Sequence, residues 1–268
     1  MQRIRDWFKP LARMGYGARA LVYAIIGLFA LLAATGAGEE KSSRDALRTL
    51  LEQPFGEAIV WCLVAGLAGY VLWRLVQSLA DADRHGTGAK ALAIRAGLLA
   101  SAFTYAALAV YALSLLGVFA GDTGGGSGGS GGGAAASVLA GIVGQRVVSL
   151  VLGAVMLGVA GAHFWKAARR KYAEHFDAGE DAMRFIHPVS MIGLSARGFV
   201  LAVIAVLFFY RSASAGRSSG SPGLEDALGF VQALPGGAVL LMATGLGLMA
   251  FSAYSFSEAR WRRINLAV

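Results

Sequence analysis

KPLARMGYGARALVY (9–23) leads into the first long apolar run of the chain, and HPVSMIGLSARGFVL (187–201) leads into another far downstream. With Pro10 set on Pro188, Gly15 falls on Gly193, Ala18 on Ala196, Arg19 on Arg197 and Val22 on Val200. A helix entry used twice implies a structural unit used twice. Its Arg, placed where apolar sequence begins, implies a boundary between water and hydrocarbon.

The composition supports a bilayer as the solvent. Apolar residues make up 56% of 268, charged residues 15%, and the mean hydropathy is +0.59. An ordinary soluble domain is about 25% charged. The net charge of +8 is distributed in short clusters between apolar runs rather than on a basic domain, so no nucleic-acid partner is expected. Cys62 is the single cysteine, inside an apolar run, and reads as a buried, inert thiol with no disulfide partner.

Six charge-free runs follow: 20–38, 58–73, 96–121, 147–165, 198–210 and 235–257. In hydrocarbon a chain must satisfy its own backbone hydrogen bonds, so each reads as a transmembrane helix. Strand alternation is absent, which argues against a barrel. Lys and Arg number 18 in the segments on the side of the two termini and 6 on the other. The positive-inside rule therefore predicts cytoplasmic N- and C-termini in a multi-pass inner-membrane protein. A signal peptide over 1–37 is the competing reading. The long basic lead-in, and its recurrence at 187–201, favour a retained first helix.

The repetition extends further. SRDALRTLLEQPFG (43–56) matches GLEDALGFVQALPGG (223–237), with nine residues from Asp45 to Pro54 and from Asp226 to Pro235. GLAGYVLWRL (66–75) matches GLGLMAFSAYSF (245–256) with Gly66 on Gly247 and Trp73 on Tyr254. A middle copy keeps the spacing of Gly97 to Tyr105 and repeats Gly66, Gly69 and Trp73-Arg74 as Gly158, Gly161 and Trp165-Lys166. Its outer loop lacks the Asp-Ala-Leu element and carries GGGSGGSGGG (124–133), a flexible linker without the Gly-Lys-Ser/Thr ending of a phosphate loop. The expected fold is an all-α integral membrane protein of three tandem helical hairpins, 1–84, 85–176 (Gly/Ser-rich outer loop 121–133) and 177–268. Parallel repeats of this kind predict a pseudo-threefold bundle of six helices. Small residues four apart, Ala65/Gly69, Ala154/Gly158 and Ala243/Gly247, are expected to pack one repeat on the next.

GYGARALVYAIIGLFAL, DALRTLLEQPFG, GLAGYVLWRLVQSLADAD and SEARWRRI together resemble a bacterial membrane family catalogued as domain of unknown function 1206. The resemblance covers nearly the whole chain and implies three two-helix modules. It brings no reaction, substrate or catalytic residue.

Candidate functional or interface residues are few. Helices 2, 3, 4 and 6 have no Asp, Glu, Lys or Arg inside their charge-free runs, which disfavours ion-coupled transport. Arg197 stands out because 198–210 is too short to span, so helix 5 must begin near Val189 and carry Arg197 inward. Arg19 has the equivalent position at the boundary. Three readings stay open: both arginines snorkel to headgroups, they pair with Asp81 or Asp83, or they form a basic ring for an anionic lipid headgroup. Pro10 and Pro188 are read as helix starts. Two carboxylates at 81 and 83 form a weak metal pattern, and 166–188, with Glu174, His175 and Asp177, reads as a solvated amphipathic linker. His163 suits interfacial packing beside Trp165.

No Ser-His-Asp constellation or GxSxG elbow occurs, so no enzyme, cofactor or metal is expected. The expected role is a membrane module acting by helix packing with itself, lipid or a membrane complex. The alternative is an uncoupled transporter or channel, with Tyr23, Tyr105 and Tyr254 facing the pseudo-threefold axis. Trp73, Arg74 and Trp165, which recur between repeats, complete the candidate functional or interface residues.

Overall fold

The computed structural model describes residues 2–36, 43–79, 86–118, 144–213 and 224–263. Asp81, Asp83 and the Gly/Ser-rich stretch 124–133 lie outside these residues. Eight α-helices are described: α1 Gln2–Ala34, α2 Ser43–Leu51, α3 Gly56–Leu79, α4 Ala89–Leu115, α5 Gln145–Ala168, α6 Glu180–Ala213, α7 Leu224–Gln232 and α8 Gly237–Trp261. Six of them, all but α2 and α7, are long and apolar enough to cross a bilayer.

Neighbours follow a ring in the order α4, α3, α1, α8, α6, α5. The ring stays open between α4 and α5, which barely touch among the described residues. The order thus supplies two of the three hairpin contacts that a threefold bundle requires. The larger apolar core runs through α1, α3 and α8 and takes in Tyr105 of α4 and Phe208 of α6, and a second cluster joins Tyr172, Phe176, Leu194, Phe251 and Tyr254.

Glycine sets the closest contacts. Gly15 of α1 lies against the backbone of Tyr70 on α3, where an added Cβ would meet Tyr70 Cα at 2.6 Å. Gly193 of α6 meets Phe251 of α8 in the same way, at 2.5 Å. Gly66 then accepts Ala18, and Gly247 accepts Ala196. The predicted small-residue pairs therefore work differently from expectation. Ala65, Ala154 and Ala243 are exposed, as is Gly158; of the buried partners Gly69 and Gly247, Gly247 packs on Ala196 within a hairpin rather than between hairpins. Between hairpins, Gly27 of α1 and Gly245 of α8 approach each other's backbone instead.

The outer loops are built alike. Leu47 of α2 and Leu228 of α7 are fully buried under short helices, and Gly56 and Gly237 open α3 and α8 tight against the carbonyls of Leu51 and Gln232. Phe55 holds φ 63° where the equivalent Gly236 holds 74°. Phenylalanine adopts that left-handed backbone against its steric preference, and its side chain stays 86% exposed.

Two readings of the entry motif need correction. Pro10 and Pro188 do not start their helices; each is the ninth residue of a continuous one. Both α1 and α6 are about 50 Å long at 1.5 Å per residue, so they extend well beyond an apolar core of about 30 Å. Helix α6 accordingly begins at Glu180, nine residues before Val189. Cys62 is exposed on the outer face of α3, not buried, because it shares that face with Trp61 and Ala65.

Candidate functional site

At the basic end of the bundle, three helices converge on one buried ion pair. Arg19 of α1 is 3% exposed and Glu258 of α8 is 2% exposed. The Arg19 guanidinium donates to the Glu258 carboxylate through Nη2, to Tyr70 Oη of α3 at 2.8 Å through Nη1, and to Ser255 Oγ at 3.1 Å through Nε. Arg262 donates to the other carboxylate oxygen of Glu258 at 2.5 Å. Tyr70 Oη also accepts from Arg74, whose Nη1 reaches Gln77 Oε1 at 3.1 Å. The arrangement follows from spacing: Ser255, Glu258 and Arg262 lie three and four residues apart on one face of α8.

Aromatic rings close the cluster. The Arg19 guanidinium carbon is 5.2 Å from the Tyr16 ring, 5.4 Å from Tyr70 and 5.2 Å from Phe251. Tyr16 accepts from Trp73 Nε1 at 3.0 Å. Lys166 of α5 donates to Tyr254 Oη at 3.0 Å. Buried charge is costly unless every donor finds a partner, and this guanidinium is matched by a carboxylate, two hydroxyls and three ring faces.

Arg19 therefore does not snorkel, contrary to the sequence reading that left it comfortable at the interface. Arg197 is the less well matched of the pair. It lies over the Tyr23 ring at 5.1 Å and over Phe251 at 4.7 Å, and its buried Nε has no hydrogen-bond partner among the described residues. Phe251 consequently presents its ring to both arginines. The difference follows the surroundings. Arg19 faces the last turn of α8, which supplies Ser255 and Glu258; the guanidinium of Arg197 faces rings of α1 and α8, and on α5, packed beside α6, the positions aligned with Ser255 and Glu258 carry Lys166 and Arg169.

The other singled-out residues divide between this cluster and the surface. Tyr70 and Tyr105 stack edge to face at 4.7 Å, Tyr23 meets Phe251 at 4.8 Å, and Tyr254 meets Tyr172, Phe176 and Phe251. Trp165 is 56% exposed, with Arg169 stacked on its ring. His163 keeps Nδ1 2.9 Å from the Val159 carbonyl.

The 166–188 connection is more than a solvated linker. Tyr172 is buried and its hydroxyl reaches His187, so burial raises its phenol above the ordinary range. Phe176 bridges to Arg262, and the backbone of Asp177 and Arg263 ties the connection to the end of α8. Glu174 pairs with Lys171 at 2.7 Å, which holds its carboxyl below the usual range. No group of metal-ligating side chains occurs among the described residues.

Sequence reasoning missed Glu258, and with it Tyr16, Tyr70, Ser255 and Arg262. The last charge-free run ends at Ser257, so Glu258 reads as the start of the basic tail SEARWRRI. One signal was present: it is an acid where the aligned positions hold Gln77 and Arg169.

Six spanning helices held by a buried polar cluster define a multi-pass α-helical membrane protein. A model of the family described as Domain of Unknown Function (DUF1206) matches residues 14–81 and again 192–262, and the chain belongs to that family. Both matches fall on the first and third hairpins. The chain is also 29% identical over 267 residues to uncharacterized protein YxxB of Bacillus subtilis (strain 168), across 98% of this chain and 94% of that protein. No solved structure matches it.

Proposed function

We propose that the chain is a non-enzymatic module of a bacterial inner membrane, three tandem hairpins with cytoplasmic termini, acting by helix packing with a second copy or a larger membrane complex. The carrying observation is the unequal burial of its spans. The windows on α4 and α5 are 28% and 22% buried, against 44% for each of the other four. Apart from the backbone of its own helix and its chain neighbours, nothing among the described residues comes within 4 Å of a Cβ placed at Gly97, Gly158 or Gly161. Small residues left open on a lipid-exposed helix are where a further helix packs closely.

Leucine at Gly158 and Gly161 tests this reading. In lipid nanodiscs, single-molecule mass measurement is expected to give an assembly larger than one chain, and the double variant is expected to reduce it to monomer. A wild-type monomer that also captures no membrane partner after in-cell crosslinking would sink the proposal.

A second reading, uncoupled passage of a small solute, draws on the gap between α4 and α5 and on the unpaired Nε of Arg197. Flux in proteoliposomes that disappears with Arg197→Ala is its test. The absence of flux across a broad solute panel would remove it.

A further inference from the structure

A cavity of about 340 Å³ opens beside the Arg19–Glu258 cluster, lined among the described residues by Lys9, Arg13, Arg260, Arg262, Arg263, Trp261 and one acid, Asp177. Two of its cations are already engaged, Arg262 with Glu258 and Arg263 with Asp177 at 3.3 Å. Lys9, Arg13 and Arg260 are exposed and have no ion pair among the described residues. The surplus is thus three cations on one small concavity, which calls for an anion.

The cavity continues into hydrocarbon. Trp261 is shared with a larger groove of about 720 Å³ lined by α1, α6 and α8, including Gly17, Leu21, Phe185, Met249 and Phe256. From Trp261 to Met249 the groove follows twelve residues of α8, about 18 Å at 1.5 Å per residue. Half of an apolar core of about 30 Å is about 15 Å, so the groove has the depth of one leaflet.

A basic pocket joined to an apolar groove one leaflet deep fits a single amphiphile, and we infer that this face binds a glycerophospholipid with an anionic headgroup. Its phosphate and glycerol sit among Lys9, Arg13 and Arg260, and one acyl chain lies against Gly17, Leu21 and Met249. Basic pockets between membrane helices hold acidic headgroups by this electrostatic logic. The site is on the α1–α8 face, opposite in the ring to the α4–α5 gap, so it rests on the membrane-module reading only in needing a bilayer. Failure of either test leaves the other untouched.

Native mass spectrometry of the full chain in mild detergent, titrated with phosphatidylglycerol or phosphatidylcholine, decides the matter. Retention of phosphatidylglycerol and not phosphatidylcholine is expected. Arg13→Gln with Arg260→Gln is expected to weaken retention about 25-fold, at about fivefold per cation lost near a membrane surface. The Lys/Lys pair at the same positions is expected to keep it, which separates charge from misfolding. Gly17→Leu fills the groove at a position with no atom within 4 Å of its Cβ, so it is expected to release the lipid at an unchanged thermal midpoint. Equal retention of both lipids, indifference to Arg13→Gln/Arg260→Gln or to Gly17→Leu, or displacement by millimolar inorganic phosphate alone would overturn the inference.

Discussion

The first and third hairpins and the middle helix pair start from related sequence and reach different packing. In α1/α3 and α6/α8, the entry glycines Gly15 and Gly193 let backbones touch at Tyr70 and Phe251. In α4/α5, the aligned Gly97 and Gly158 touch nothing within 4 Å among the described residues. Glycine permits a close approach but does not cause one. What differs is the rest of the interface: Tyr70 and Phe251 are large rings that clamp the entry helix, whereas the aligned residue of α5 is Ala162. The family match divides in the same place, covering 14–81 and 192–262 and passing over the middle.

The largest expected effect is at the charge that only the third hairpin carries. Glu258→Gln leaves Arg19 and Arg262 buried without a carboxylate, and a loss of about 3–5 kcal/mol is expected in detergent-denaturation measurements. A loss below about 1 kcal/mol would mean that water reaches the cluster. The two arginines should then separate. Arg19→Met is expected to cost about 2–3 kcal/mol through its hydrogen bonds to charged and hydroxyl partners. Arg197→Met is expected to cost under about 1 kcal/mol, since ring contacts alone are lost. Equal costs would break the asymmetry.

Glycine substitutions sharpen the comparison with opposite signs. Alanine at Gly15 or Gly193 drives a methyl into backbone and is expected to destabilise by about 1–3 kcal/mol. Alanine at Gly97 meets open space inside a helix and is expected to stabilise by about 0.5–1 kcal/mol. The smallest effect belongs to the exposed Lys171–Glu174 pair. Its carboxyl is depressed, so any contribution is present at neutral pH and fades as the group protonates in acid. Glu174→Gln is expected to leave the thermal midpoint unmoved at neutral pH, because an exposed pair is screened by water.

Much of the fold was legible because a bilayer imposes a simple rule. An apolar run without charges has to become a helix, and six such runs became six spanning helices. The matched entries 9–23 and 187–201 also adopt matched contacts, since small residues and their spacing are local properties. The candidate site was half legible. Arg19, Arg74 and Trp73 stand out in the sequence as unusual residues near membrane boundaries, but Tyr70, which accepts from both arginines, and Glu258, which pairs with Arg19, do not. Glu258 lies 239 positions from Arg19, and no periodicity within either helix relates them.

By itself, then, the sequence determined the solvent, the number of crossings and the likeness of the first and third entries, because hydropathy and spacing act over one helix at a time. Only the tertiary structure decided which arginine is paired, which glycines are closed and where the basic pocket meets an apolar groove. Those outcomes depend on which helix lies beside which: α1 beside α8 brings a carboxylate to Arg19, and α6 beside α5 brings none to Arg197.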